Sequence, residues 1–277
     1  MSINLAEKAS AKLSESFTLS SCTEGLFSQK YDWTGVATVK VYTLDNLQLN
    51  DYQRSATQNR FGVLEELGDT VQEMTVSQDK SFNGAIDKGN NTSQLMLKAA
   101  ARVLKQNIRA VIIPELDKYR LLQLSAHAGH KEYSQTLSKS DAIEKIMKAN
   151  AKLSNENVPL SGRVLFIGST EAIKLKLADQ AIALEKTGEQ ALVHGVCGLI
   201  DGAQIRIVPD SYMPTGCLFI IAAKGAAVAP KKLETYRILK DHPDVDGHVI
   251  QGRIMHDCFV LKAKEKGVYA AFSGPAA

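Results

Sequence analysis

Two β-prone runs, at 36–44 and 71–76, flank a connector of 26 residues, 45–70, and this arrangement limits the folds open to the chain. The first run, VATVKVYTL, is β-branched and partly alternating, and the second alternates through Gln72, Met74 and Val76. Hairpin connections usually span about 2–5 residues, and unstructured loops beyond about 12–15 are uncommon inside compact domains. This connector is rich in Asn, Asp, Gln and Arg, yet it also carries Tyr52, Phe61, Val63 and Leu64. Apolar side chains on so long and polar a segment predict an ordered projecting loop whose packing partner lies on another subunit.

Charge adds a second expectation. On the connector Asp45, Asp51, Glu65, Glu66 and Asp69 oppose Arg54 and Arg60, five acidic against two basic residues, net −3. Downstream, Asn91, Thr92 and Ser93 offer N-cap oxygens. Met96, Ala100, Val103, Leu104, Ile108, Val111 and Ile112 follow at helical steps and predict a long helix. Pro114 should kink or end it, with 115–122 able to continue as a second segment. Across 98–120, Lys98, Arg102, Lys105, Arg109, Lys118 and Arg120 oppose Glu115 and Asp117, six basic against two acidic residues, net +4. Loop and helix are therefore complementary. The predicted inter-subunit contact sets Asp51, Arg54, Arg60, Glu65, Glu66 and Asp69 against Lys98, Arg102, Lys105 and Arg109. The same cations could touch nucleic-acid phosphates, but no interleaved aromatics or recognition motif accompany them.

The flanking regions complete the outline. Residues 3–13 place Ile3, Leu5, Ala6, Ala9 and Leu13 at roughly helical spacing, and 14–30 run on loosely as an arm. From 140 the pattern becomes α/β: a helix started by Asp141 through Ile143, Ile146 and Met147, an apolar strand at 163–167, and a helix at 171–184. Strands follow at 203–208 and 217–223, then further strands over 249–272, clearest at 258–262 and 267–272.

Little in the chain points to catalysis. It has 277 residues, 44% of them hydrophobic, enough for a sizeable core without staples. Its 33 basic and 30 acidic residues leave only +3, which gives no field that would single out nucleic acid or membrane. Cys22, Cys197, Cys217 and Cys258 are scattered, unlike a zinc ribbon, a redox CxxC pair or a secreted disulfide framework, and suit a reducing compartment. Residues 1–21 lack the apolar run of a signal peptide, and no run of about 18 uncharged apolar residues predicts a membrane span. Gly168, Ser169 and Thr170 between strand and helix could seat a phosphate, but neither GxxxxGK[ST] nor GxGxxG is present and an ordinary N-cap is the better reading. A GxSxG elbow is also missing. The segment from Asp241 to His248 faintly resembles a calcium loop without its closing glutamate and reads as a turn. His127, His130, His194 and His256 show no ligand spacing. No catalytic, cofactor-binding or metal-binding residues are expected.

Four local stretches bring in a family: YDWTGVATVKVY at 31–42, EELGDTVQEMTVSQDKSF at 65–82, IPELDKYR at 113–120 and VPDSYMP at 208–214. With the order arm, long loop, long helix, α/β subdomain and returning strands, the chain resembles the major capsid proteins of tailed bacteriophages, over nearly its whole length. The resemblance implies an α+β fold of Hong Kong 97 type. An N-terminal arm would occupy 1–30, the extended loop and its base strands 31–80, the peripheral domain with its spine helix 81–133, the axial domain 134–226 and peripheral return strands 227–277. It further implies hexamers and pentamers closing around double-stranded DNA in a virion capsid, assembled in the bacterial cytoplasm with no membrane. The partners it implies are a separate scaffolding protein, a portal protein and, on some shells, a decoration protein. Lysine–asparagine crosslinking, known in one family member, is not expected, because no lysine lies between Lys40 and Lys80. The alternatives are an encapsulin-like compartment and a small α/β phosphate-binding enzyme using 168–170.

Overall fold

A computed structural model describes residues 20–28, 31, 33, 38–44, 47, 49–55, 57–64, 66–89, 99–177, 196–240 and 242–275. The expected helix at 3–13, the N-cap residues 91–93, Lys98, Asp45, Glu65, His194, Asp241 and the second half of the 171–184 helix lie outside them.

The main core forms around β5 (Arg163–Gly168), whose RVLFIG run is buried at every position. An apolar run without alternation suits a strand covered on both faces. Val164 and Phe166 point into one cluster with Leu121, Leu124 and Ile220, while Leu165 and Ile167 point into another with Ile146, Leu153 and Phe219. Six strands make this sheet: β4 (His130–Glu132), β13 (Val268–Phe272), β8 (Cys217–Ala223), β5, β7 (Ala203–Val208) and β6 (Val196–Ile200), in that spatial order. Pairings β5/β7 and β4/β13 are parallel and the others antiparallel. The span 134–226 expected for this subdomain is too narrow for its sheet, since β4 precedes it and β13 comes from the C-terminal stretch.

Helices cover both faces. On one lies α3 (Ala142–Asn155), which buries Ala142, Ile146, Ala149 and Leu153 at helical spacing. Beside it α4 (Ser169–Lys176) contributes Ala172. On the other runs the spine, α1 (Ala100–Asn107) leading into α2 (Ile113–Ala126). Pro114 neither ends nor breaks this helix. A π turn at Ile108–Ile112 precedes it, with the Ile113 amide donating to the Ile108 carbonyl, so Pro114 enters in the first turn of α2, where its missing N–H costs least.

A second sheet, antiparallel in the order β10 (Lys231–Leu239), β11 (Gly247–His256), β3 (Gln78–Asp87), packs on the spine through Ile254 against Ile112 and Leu116. The sequence predicts no strand over the length of β3, and covers β10 only through the broad stretch 227–277 of peripheral return strands. Gly252 is required in β11: a Cβ there would fall 2.2 Å from the Phe82 ring, between Phe82 and Tyr236. The two runs flanking the long connector pair as β1 (Thr38–Leu44) with β2 (Asp69–Thr75), an antiparallel hairpin in register from Thr38 opposite Thr75 to Leu44 opposite Asp69. The inward positions Val39, Val41 and Met74 pack with Trp33, Val228 and Leu261, which seats only the near end of the hairpin. The short strands β9 (Ala227–Val228) and β12 (Phe259–Val260) pair beneath it.

Candidate assembly surfaces

The loop beyond the hairpin projects apolar groups into solvent. Phe61 is 84% exposed and Leu64 97%, while Leu47, Leu49 and Val63 are also largely uncovered. The tip has a structure of its own. The Gln53 amide donates to the Arg60 carbonyl at 3.0 Å and the Gly62 amide to the Asn59 carbonyl at 2.9 Å, with Asn59 at φ +52°. Tyr52 meets Phe61 edge-on at 4.9 Å. The result is a preformed apolar knob. Burying each such side chain on a partner is worth about 1.5–3 kcal/mol before the costs of association.

Among the predicted contact residues, Asp51, Arg54, Arg60, Glu66 and Asp69 are exposed on the loop, and Arg102, Lys105 and Arg109 are exposed on the spine. The +4 counted across the helix includes Asp117 and Arg120, which are buried beside each other with 3.8 Å between their charged atoms and cancel, so the net charge of the other residues is the same.

Both residues serve the arm instead. The Asp117 carboxylate accepts from the Ser21 hydroxyl at 2.8 Å, the Cys22 amide at 2.9 Å and the Thr23 hydroxyl at 2.6 Å, and Arg120 Nη1 donates to the Thr23 hydroxyl at 3.0 Å. From the sheet, Arg206 Nη1 donates to the Cys22 and Glu24 carbonyls. The hairpin root is held in the same manner. Buried Asp257, in the turn after β11, accepts from the Ser77 amide and hydroxyl at 2.8 and 2.9 Å, the Tyr119 hydroxyl at 2.7 Å and the Cys258 amide at 2.8 Å. Nearby, the Gln72 side chain donates to the Val260 carbonyl and accepts from the Lys262 amide. Sequence reading missed these anchors, though Asp117, Tyr119 and Arg120 all lie in the IPELDKYR stretch.

The candidate chemistry takes ordinary structural forms. The start of α4 is already filled, with the Asp210 carboxylate accepting from the Thr170 amide at 3.1 Å and from its hydroxyl at 2.5 Å. Those bonds hold the Asp210 carboxyl below its ordinary value. A phosphate there would have to displace a carboxylate. Of the expected 241–248 turn, residues 242–248 are described and turn tightly, with His242 and Val245 bridged and the Asp244 amide donating to the His242 ring. Burial pushes the Cys217 and Cys258 thiols up to about 12, far from a reactive thiolate. His256 is buried edge-on to Tyr119, and burial lowers its pKa. Among the described residues, no three His, Cys, Asp or Glu side chains gather into a metal-binding group, and no helix is long and apolar enough to cross a membrane.

Arm root, projecting hairpin, spine helix and mixed six-stranded sheet together define a phage capsid fold of Hong Kong 97 type. Solved structures agree over almost the whole chain. A chain of Mycobacterium phage Che8 is 19% identical with a TM-score of 0.76, covering 98% of both chains. The capsid of cyanophage P-SCSP1u is 13% identical with a TM-score of 0.75, over 98% of this chain and 93% of that one. The capsid of Ralstonia phage GP4 is 12% identical with a TM-score of 0.71, over 98% and 96%. No protein-family model and no curated protein matches the sequence. The likeness therefore resides in the fold.

Proposed function

We propose that this chain is the major capsid protein of a tailed bacteriophage, self-assembling into hexamers and pentamers of an icosahedral head around double-stranded DNA. The supporting observation is that its fold matches phage capsid structures end to end. An ordered apolar knob with nothing to cover it in its own subunit is what such an assembly requires. Each subunit makes heterologous contacts that close by symmetry, so many weak contacts sum to a stable particle. The loop of one copy, through Asp51, Glu65, Glu66 and Asp69 with Arg54 and Arg60, would meet Lys98, Arg102, Lys105 and Arg109 of the next.

The protein acts by assembly, not catalysis, in the virion, after forming in the host cytoplasm with a separate scaffolding protein and a portal. A decoration protein would reinforce a shell that has no lysine on its loop for crosslinking. Neither alternative gains support: the similar structures named above are phage structures, and the 168–170 turn is filled by Asp210. Sedimentation after coexpression with the phage's scaffolding protein tests the proposal. Fast-sedimenting particles containing this chain are expected, and material remaining at the subunit position would refute it.

A further inference from the structure

The arm and the hairpin are rooted in one turn of the spine. Asp117 and Arg120, three residues apart on one helix face, hold Ser21, Cys22 and Thr23. Between them in sequence, Tyr119 points to another side and donates to Asp257, whose carboxylate holds Ser77 just past the end of the hairpin's exit strand β2. The arm root is 94–96 residues from Asp117 and the hairpin root is 180 residues from Asp257. Both aspartates are almost wholly buried. A buried carboxylate that loses its donors is strongly disfavoured, so neither root can shift without strain in the turn that holds it.

We propose that residues 117–120 couple the two roots, with Tyr119 as the positioning residue, so that the arm and the hairpin are oriented as a unit. This rests on the capsid reading only in that both elements would engage neighbouring copies. Within that reading, docking of one element would orient the other for its own contact, because the two share a rigid support.

Amide hydrogen exchange on the unassembled full-length subunit tests the coupling without requiring a shell. Asp257→Asn should speed exchange at 71–77 by roughly tenfold or more, and should also speed exchange at 22–28, leaving β5 unchanged. In a Tyr119→Phe background the same substitution should affect 71–77 alone. If Asp257→Asn accelerates exchange throughout the chain, Ser77→Ala takes its place, since it removes one donor and leaves the carboxylate three. Acceleration confined to 71–77 in the Tyr119 protein, or equal acceleration at 22–28 in both backgrounds, would overturn the proposal. Failure of shell formation in a sedimentation assay would count against the capsid reading and leave this result standing.

Discussion

Arg206 Nη1 donates to the Cys22 carbonyl at 2.6 Å, joining strand β7 of the main sheet to an arm residue 184 positions earlier. The same nitrogen reaches the Glu24 carbonyl at 2.9 Å, and the guanidinium lies over the Phe166 ring at 6.0 Å. The arm thus leaves the body from a fixed point.

Arg206→Met should strand the buried Cys22 carbonyl and the part-buried Glu24 carbonyl. The cost should be about 2–4 kcal/mol in urea unfolding, with Arg206→Lys recovering part of it because one donor remains. A loss below about 0.5 kcal/mol, the range of ordinary surface changes, would show that the arm root does not depend on this contact.

The knob should matter to assembly and not to the subunit. Replacing Leu49, Phe61 and Leu64 together by Ser should leave the unfolding free energy within about 0.5 kcal/mol per site, since each is exposed. Light scattering should show assembly abolished or slowed severalfold. Normal assembly kinetics would remove the knob from the interface.

Reversing the loop charge, Glu65→Lys with Glu66→Lys, should impair assembly most in low salt. The difference from the parent should narrow as ionic strength approaches about 1 M, where the screening length falls to about 3 Å. Shells of normal yield in low salt would eliminate the contact between the acidic loop and Arg102, Lys105 and Arg109.

Asp141 carries a pH dependence of known sign. It accepts from Lys145 at 2.8 Å and from the Ser138 amide at 2.7 Å, and those bonds, the lysine's foremost, lower its carboxyl from 3.8 to about 2. A depressed folded-state value means stabilisation that is present above the unfolded value and lost as pH falls toward the folded one. Thermal melts should therefore show the parent more stable than Asp141→Asn at pH about 6, with the gap closing between about 4 and 2. A gap independent of pH would contradict this assignment.

The parts of the fold that the sequence revealed are those whose signals are local. The continuous apolar run of β5, the helical spacing from Val103 to Ile112 and the oversized connector each report on a few neighbouring residues. Strand β10, KKLETYRIL, is not singled out because it lies at a sheet edge and its polar residues are interspersed with apolar ones. At Pro114 the sequence predicts a kink or an end, with 115–122 able to continue the helix, because the compensating π turn at Ile108–Ile112 carries no sequence mark. The anchors Asp117 and Asp257 were hidden for a different reason. Apart from the Cys258 amide next to Asp257, their hydrogen-bond partners lie 94 to 180 residues away, and in sequence a buried acceptor looks like any other surface carboxylate. The charged contact between loop and spine rests on composition, and its described residues are exposed on their own elements.

The most direct test of the account is negative-stain electron microscopy of the full chain, expressed alone and with the proposed scaffolding protein. Capsomer rings and closed icosahedral shells are the predicted result. A monodisperse monomer that forms neither, even with scaffold present, would contradict the claim that this protein builds a phage head.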